Sequence, residues 1–211
     1  MRSCVTMRLE PTTLSGTHVR LEPLRLDHAA ELVAAGNRGR STYGFTPVPA
    51  DLPAMEQYIT GLLADAERDT VLPFVQRRLT DGDLVGCTRY LNIQWYPNRE
   101  APAEVEVGGT WLATDAQRTP LNTEAKLLLL GHAFEVWQVF RVAICTDARN
   151  ARSRAAIERL GATFEGILRS HRMNSGHLTE PGLPRDTAAY SIIAAEWPTI
   201  RTTLEERLDA H

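Results

Sequence analysis

Lysine is almost absent from this chain of 211 residues. Of its 23 basic side chains one is a lysine, Lys126, and the other 22 are arginines, which indicates a general preference for arginine. The 26 acidic side chains give a formal net charge of −3. Proteins that coat nucleic acid usually carry a basic excess, so the composition argues against a nucleic-acid partner.

Long apolar runs and paired metal ligands are also missing. No apolar run approaches the roughly 20 residues needed to cross a bilayer, and residues 1–16 lack the apolar segment of a secretory signal. Three cysteines (Cys4, Cys87 and Cys145) at wide spacing do not form a disulfide framework or a zinc motif, and the six histidines form no HxxxH pair. We therefore expect a soluble cytoplasmic protein with no membrane association and no metal.

The hydrophobic content and its periodicity predict one α/β domain. With 43% hydrophobic residues, the chain can build one sizeable core. Hydrophobic periodicity predicts the element order β-α-α-β-β-β-α-β-α-β-β, with Thr80-Asp81-Gly82-Asp83 as a hairpin turn. This order favours a mixed sheet with helices on both faces. We place the domain at residues 17–200, after an N-terminal extension (1–16) and before a C-terminal tail (201–211).

Six predicted elements matter for function. They are a strand over 103–113, a helix over 122–137, a strand over 141–146, a helix over 150–160, and strands over 163–173 and 187–194 that a Gly/Pro-rich loop joins. Gly108 and Gly109 stand inside the first of these strands, where adjacent glycines are unfavourable unless they form a β-bulge. We expect such a bulge to expose backbone groups.

The segment from Trp111 to Lys126 combines a strand end, a polar turn and the start of a buried helix. A helix N-terminus carries unpaired N–H groups and the positive end of the helix dipole, so it suits a phosphate or pyrophosphate. Neither a Walker A loop nor a Rossmann glycine fingerprint is present. Taken alone this signal is weak, because every helix has an N-terminus.

The sequence resembles the GCN5-related N-acetyltransferase (GNAT) superfamily. Within this superfamily it resembles the branch that acetylates protein N-termini such as those of ribosomal proteins. The stretches VEVGGTWLATDAQRTPLNTEAKLLLLGHAFE, RVAICTDARNARSRAAIERLGATFEGILR and DTAAYSIIAAEW carry the resemblance. With the element order from residue 17 to residue 197, it covers most of the chain. It implies a GNAT fold, with a mixed, mostly antiparallel sheet of six to seven strands splayed at the cofactor site, and a bound acetyl-CoA.

The resemblance also implies how acetyl-CoA is held. In the family, backbone N–H groups of a loop patterned Q/R-x-x-G-x-G/A bind the pyrophosphate. Here Pro120 replaces a glycine and has no N–H, so we expect one donor to be lost and Asn122 to cap the helix. The expected cofactor-binding residues are Leu112, Ala113, Gln117, Arg118, Thr119, Leu121, Asn122, Thr123, Lys126, Asn150 and Ser153.

Charged side chains near this loop have two interpretations. In the functional one, Arg118 contacts a phosphate and Lys126 adds positive potential, and together they offset Glu124. In the other, all three are solvated surface residues. The functional interpretation predicts that Lys126→Glu weakens coenzyme A binding and that Lys126→Arg is mild.

Strand alternation puts Glu104 and Glu106 on one face of the sheet. Acyl transfer needs a neutral amine, and a carboxylate can remove the proton. The resemblance favours Glu106 as the general base, acting through a water, and we place Glu104 at the acceptor site. The alternative is that both carboxylates pair with arginines on neighbouring strands.

Asn150 and Ser153 stand one helical turn apart. Many relatives use a tyrosine to protonate the departing thiolate, but residues 149–164 contain none, which leaves Ser153 as the candidate catalytic acid. The resemblance places Asn150 against the coenzyme A arm. Helix capping is the alternative role for Asn150, and the two roles are compatible.

The resemblance implies direct acetyl transfer from acetyl-CoA to a primary amine, with a protein N-terminus as the favoured acceptor. Tyr43 and Phe45 are expected to line the acceptor mouth. A small amine (an antibiotic, a polyamine or a metabolite), a longer acyl donor, and a non-catalytic acyl-CoA sensor remain alternatives. A homodimer is expected by the same resemblance.

Overall fold

The computed structural model describes residues 9–174 and 182–210, which form one sheet of eight strands and five α-helices. The strands are β1 (Leu14–Ser15), β2 (Val19–Pro23), β3 (Val71–Arg78), β4 (Leu84–Gln94), β5 (Glu104–Leu112), β6 (Arg141–Asp147), β7 (Thr163–Met173) and β8 (Pro184–Ile193). The helices are α1 (Ala29–Asn37), α2 (Leu52–Glu67), α3 (Pro120–Gly131), α4 (Ala151–Arg159) and α5 (Trp197–Asp209).

The sheet is mixed and opens in its middle. Its strand order is β1-β2-β3-β4-β5-β6-β8-β7, and β5–β6 is the one parallel pair in the described sheet. Pairing between these two strands ends at Glu106 and Ala143, while β6 continues beside β8 as far as Asp147. The predicted mixed, mostly antiparallel and splayed sheet is confirmed. The eighth strand is β1, whose two residues are too few for a periodic pattern to reveal.

Helices cover both faces of the sheet, as predicted. On one face α3 and α5 bury Leu129, Leu130 and Leu204 against the sheet. On the other, α1 and α2 bury Leu32 and Met55 beneath β3 and β4. On this second face a cleft lies over β5 to β8, and no residue of α1 or α2 lines it.

The domain boundaries differ from the prediction. The structure shows no free tail at residue 201, because α5 runs through that position with Leu204 fully buried. The apolar residues of α5 recur at helical spacing in a segment that is polar on average, so composition concealed the helix. The extension also joins the fold, since β1 pairs with β2 and Leu9 is buried. Cys4 lies outside the described residues.

The predicted hairpin between β3 and β4 forms, and β7 and β8 pair as a second hairpin. Gly82 has φ of +81° in the turn between β3 and β4, a backbone conformation that glycine adopts without strain. In the second hairpin β8 begins at Pro184 rather than at Thr187, because pairing with β7 extends to Met173↔Pro184. A proline is tolerated as the first residue of a strand. Part of the predicted Gly/Pro loop, residues 175–181, lies outside the described chain.

The helix after the loop starts earlier than predicted. Thr119, not Asn122, is the N-cap, and its hydroxyl accepts a hydrogen bond from the Leu121 N–H at 3.4 Å. Pro120 therefore occupies the first helical position, where a missing N–H costs the helix nothing. The helix ends at Gly131 and a π-helical turn follows over His132–Val136.

Candidate active site

The open edge of β5 forms the centre of the site. Beyond Glu106 this strand has no partner on its β6 side, which leaves backbone groups available there. On its other side Gly109 and Thr110 together face the single residue Thr88 of β4, so the predicted bulge is present. Gly109 has φ of +57°, and a Cβ there would lie 2.4 Å from the guanidinium carbon of Arg89. The positive φ favours glycine here, and a larger residue would also displace the Arg89 side chain.

The side chain of Gln117 ties three parts of the site together. Its Nε2 donates to the Leu112 carbonyl at 2.8 Å and to the Thr42 hydroxyl at 3.1 Å. Its Oε1 accepts from Arg152 at 3.2 Å. Since Arg152 belongs to the first turn of α4, Gln117 fixes the end of β5 and the loop after α1 against that helix. The sequence motif named Gln117 without indicating this bridging role.

Two helix N-termini meet beside the open strand. The N-cap of α3 is Thr119 and the N-cap of α4 is Asn150, and the Gln117–Arg152 hydrogen bond joins the two starts. Each N-terminus carries unpaired N–H groups and a positive dipole end. Arg118 is exposed here, with φ of +61°. These donors and cations fit a pyrophosphate. Arg152 was missed by the sequence analysis, and its place in the first turn of α4 was the available signal.

Asn150 and Ser153 adopt the predicted capping arrangement. The Asn150 Oδ1 accepts a hydrogen bond from the Ser153 N–H at 3.1 Å. This confirms the capping alternative for Asn150 and does not conflict with a contact to a ligand. The Ser153 hydroxyl makes no hydrogen bond to another described residue and is half-buried, so it is available to a bound molecule.

Glu124 and Lys126 are both buried, so the interpretation of both as solvated surface residues is wrong. The carboxylate of Glu124 accepts the N–H groups of Thr17, His18 and Val19, each at 2.7 Å. The Lys126 Nζ donates to the Thr110 hydroxyl at 2.7 Å and is 5% exposed as a residue. This amine points into the fold beneath the β5 bulge, and the expectation that it adds positive potential at the phosphate site stays a prediction.

Burial changes the acidity of Lys126. Removal of the amine from water lowers its pKa from 10.5 to about 7, because the charged form loses its hydration. No neighbouring carboxylate offsets this loss in the described part of the chain, where the polar groups in reach are the hydroxyls of Thr110 and, at 3.4 Å, Thr88.

A cleft of about 680 Å³ opens over β5, β6, β7 and β8 on the face that α1 and α2 leave free. Glu106 lies in its wall and is 4% exposed. Its Oε1 accepts from Arg172 at 2.9 Å, and its Oε2 accepts from Arg172 at 2.5 Å and from Asn92 at 2.7 Å. The carboxylate is therefore held in one orientation, with an acceptor position left on Oε1.

Glu104 lines the same cleft and pairs with Arg141 at 3.2 Å. Arg141 also bonds to Glu165 of β7. Both carboxylates therefore pair with arginines, as the alternative interpretation predicted. The partner of Glu106 comes from β7, which is not a neighbour of β5; no sequence pattern indicated this pair.

Tyr43 and Phe45 do not line the cleft, and the expected placement of Tyr43 at an open mouth is wrong. Tyr43 is 4% exposed, donates its hydroxyl to the Leu112 carbonyl at 3.2 Å and packs edge-on against Trp111. Phe45 is half-buried under the Arg149 guanidinium. Tyr43 therefore supports the end of β5 from within the core.

Residues 9–174 and 182–210 hold neither a membrane-spanning helix nor a cluster of metal ligands. No helix in these ranges is long and apolar enough to cross a membrane. No cluster of three or more His, Cys, Asp or Glu side chains there could hold a metal ion.

A splayed parallel strand pair with a helix N-terminus at the opening is the arrangement that the resemblance implied for an acyl-CoA-dependent transferase. Residues 18–163 match the family model of the acetyltransferase (GNAT) domain. The chain belongs to the GNAT acetyltransferase family and is an acetyltransferase, as the resemblance implied.

Named relatives agree with this assignment. The chain is 29% identical to "Putative ribosomal N-acetyltransferase YdaF" of Bacillus subtilis (strain 168) over 188 residues, covering 84% of this chain and 90% of the relative. It is 29% identical to a GCN5-related N-acetyltransferase from Brucella melitensis, with a TM-score of 0.81 and coverage of 95% and 87%. Mycobacterium smegmatis RimJ, solved in complex with CoA-disulfide, is 23% identical and shares the fold, with a TM-score of 0.77 and coverage of 93% and 95%.

Proposed function

We propose that this enzyme transfers the acetyl group of acetyl-CoA to the α-amine of a protein N-terminus. The observation that carries the proposal is the opening between β5 and β6, which has two helix N-termini at one end and a carboxylate-lined cleft beside it. The name of the Bacillus relative, a ribosomal N-acetyltransferase, supports a protein acceptor. The donor and the acceptor would meet at the β5 bulge.

The donor site in this proposal uses backbone groups first. The N–H groups of Thr119, Leu121, Asn122 and Thr123, near the start of α3, would hold the pyrophosphate, with Arg118 and Arg152 adding charge-assisted hydrogen bonds. Pro120 contributes no donor. The Leu112 N–H on the open side of β5 would donate to the pantetheine arm, since the Leu112 carbonyl already accepts from Tyr43 and Gln117 and the Ala113 N–H donates to the Val85 carbonyl. Asn150 would contact the same arm.

The acceptor side needs a group that takes a proton from an ammonium. Glu106 would serve through a water bound at the free acceptor position of Oε1, while Arg172 and Asn92 hold the carboxylate in place. Glu104 and Glu165 line the same cleft and would attract a cationic amine. A cleft of about 680 Å³ has room for the first residues of a peptide.

The acetyl transfer would proceed in one attack of the amine on the thioester, followed by loss of the thiolate. The neutral amine attacks the thioester carbonyl carbon, and an N–H group of the β5 bulge would stabilise the negative charge that develops on the carbonyl oxygen. The carbon–sulfur bond then breaks. Ser153 would pass a proton to the departing sulfur and regain one from solvent water. Glu106, after releasing the first proton to solvent, would take the remaining proton from the nitrogen of the amide product.

Calorimetry with coenzyme A tests the donor site first. We expect saturable binding that Arg118→Ala weakens, because a cation at the pyrophosphate is lost. Absence of binding at about millimolar coenzyme A, a weak limit for any specific cofactor site, would contradict the proposal.

A second assay identifies the acceptor by following thiol release from acetyl-CoA. Peptides with free Ser or Ala N-termini are compared with the same peptides blocked by N-acetylation, and with polyamines and aminoglycosides. Release that requires a free peptide N-terminus supports the proposal. Release with small amines alone would establish the small-molecule alternative, and binding without release from any amine would establish the sensor.

A homodimer and a cytoplasmic location are part of the same proposal. Light scattering coupled to size-exclusion chromatography tests the first directly, with a mass near twice 23.5 kDa expected. A mass of one chain at all concentrations would contradict it.

A further inference from the structure

Lys126 is a buried amine that the proposed chemistry does not use. It is the only lysine of the chain and it carries no carboxylate partner in the described structure, although a buried charge normally acquires one. Its Nζ lies 2.7 Å from the Thr110 Oγ1 and 3.4 Å from the Thr88 Oγ1. The two hydroxyls are 2.9 Å apart, so the three polar groups form a closed triangle.

This triangle lies at the β5 bulge. Thr110 is one of the two bulged residues and Thr88 is the residue opposite them on β4. A hydroxyl oxygen is within about 4 Å of the backbone nitrogen of its own residue. The amine is therefore within roughly 7 Å of the Thr110 N–H, inside the stretch of β5 that leaves its partner strand.

Titratable and charged side chains on α3, β4 and β5 are engaged elsewhere. On α3, Glu124 accepts three backbone N–H groups of the β1–β2 region. On β4, Tyr90 donates to the Leu129 carbonyl and Arg89 donates to Tyr58. On β5, Glu104 and Glu106 pair with arginines across the cleft.

Charged side chains on two elements packed against α3 also have partners. On β2, Arg20 and Glu22 pair with each other, and on α5, Arg201 pairs with Glu205. The protonation state of Lys126 therefore depends on burial and on the two threonines.

We propose that Lys126 is a positioning residue for acyl transfer: through Thr110 it fixes the β5 bulge and places positive charge beneath the N–H groups that receive the thioester carbonyl oxygen. The proposal extends the donor site proposed above and rests on it. Charge at this distance polarises the carbonyl without touching it. Loss of the charge weakens the polarisation, and the burial of the amine brings its pKa to about 7, within the range of an ordinary assay.

Bound [1-¹³C]acetyl-CoA provides the test, because the ¹³C chemical shift of its carbonyl reports polarisation and needs no acceptor. We expect the shift in the native enzyme to titrate between about pH 6 and pH 9, the range around an amine of lowered pKa. In Lys126→Met it should be independent of pH. Thr110→Val, which keeps the side-chain shape, should reduce the titration and provides the test if Lys126→Met does not fold.

Thr187→Val is the matched control, since Thr187 is a buried threonine whose hydroxyl has no partner in the described structure, and it should titrate like the native enzyme. With an acceptor peptide, Lys126→Met should lower kcat by about tenfold, less than the loss of a direct oxyanion donor, and leave the Kd of coenzyme A within about twofold.

A bound carbonyl signal that is constant with pH in the native enzyme, or that titrates equally in Lys126→Met, would overturn the role of Lys126 and leave the donor site intact. Absence of any bound signal would overturn both proposals.

Discussion

The burial of Lys126 predicts a specific dependence of stability on pH. The pKa of this amine is about 7 in the folded protein against 10.5 in the ordinary, solvated state. Between these two values the unfolded chain binds a proton that the folded chain does not, so the free energy of unfolding rises with pH. At one pKa unit per 1.36 kcal/mol the whole interval is worth about 5 kcal/mol, of which about 3 kcal/mol falls between pH 6 and pH 9.

Urea unfolding followed by tryptophan fluorescence measures this contribution. Native enzyme and Lys126→Met are compared at several pH values, so that titrations common to both cancel in the difference. The free energy of unfolding of Lys126→Met minus that of the native enzyme should be about 3 kcal/mol larger at pH 6 than at pH 9. The sign follows because the native enzyme must bury an ammonium at low pH and a neutral amine at high pH.

Lys126→Arg provides the matched control. A guanidinium stays charged at every accessible pH, so this variant should be destabilised across the range instead of being mild. The reasoning is refuted if the stability difference between native enzyme and Lys126→Met does not change with pH, because the amine would then keep an ordinary pKa. Lys126→Glu does not test phosphate binding, since it would bury a carboxylate.

Three further substitutions test other parts of the structure. Glu106→Gln should lower the acetylation rate mainly near neutral pH, where a base is needed, and Glu104→Gln should have the smaller effect; an unchanged pH–rate profile would remove Glu106 from the mechanism. Gly109→Ala should cost about 1–3 kcal/mol of stability through its positive φ and weaken acetyl-CoA binding, whereas the open helical position Gly61→Ala should be neutral or stabilising; equal behaviour would contradict the bulge. Leu204→Ala should cost about 2–5 kcal/mol in urea unfolding because the side chain is fully buried, and a negligible cost would restore the free C-terminal tail.

Much of the fold could be read from the sequence because its signals are local. The strand predicted over residues 163–173 is observed as β7, and the turn around Gly82 predicted the β3–β4 hairpin. The signals failed where local composition was misleading. In α5, polar residues concealed three buried apolar side chains, and Pro120 suggested a loop where it begins a helix.

The sequence by itself determined most of the order of elements and the position of the bulge, since each of these depends on residues close together in the chain. Its motifs also carry the family resemblance that implies acetyl-CoA chemistry. The tertiary structure alone decided which groups meet across the chain. Arg172 reaches Glu106 from a distant strand, and Gln117 joins α4 to the end of β5. Lys126 shows the difference most clearly. The count of one lysine is a fact of composition, but burial beneath the bulge, which sets its pKa, arises only when α3 packs against the sheet.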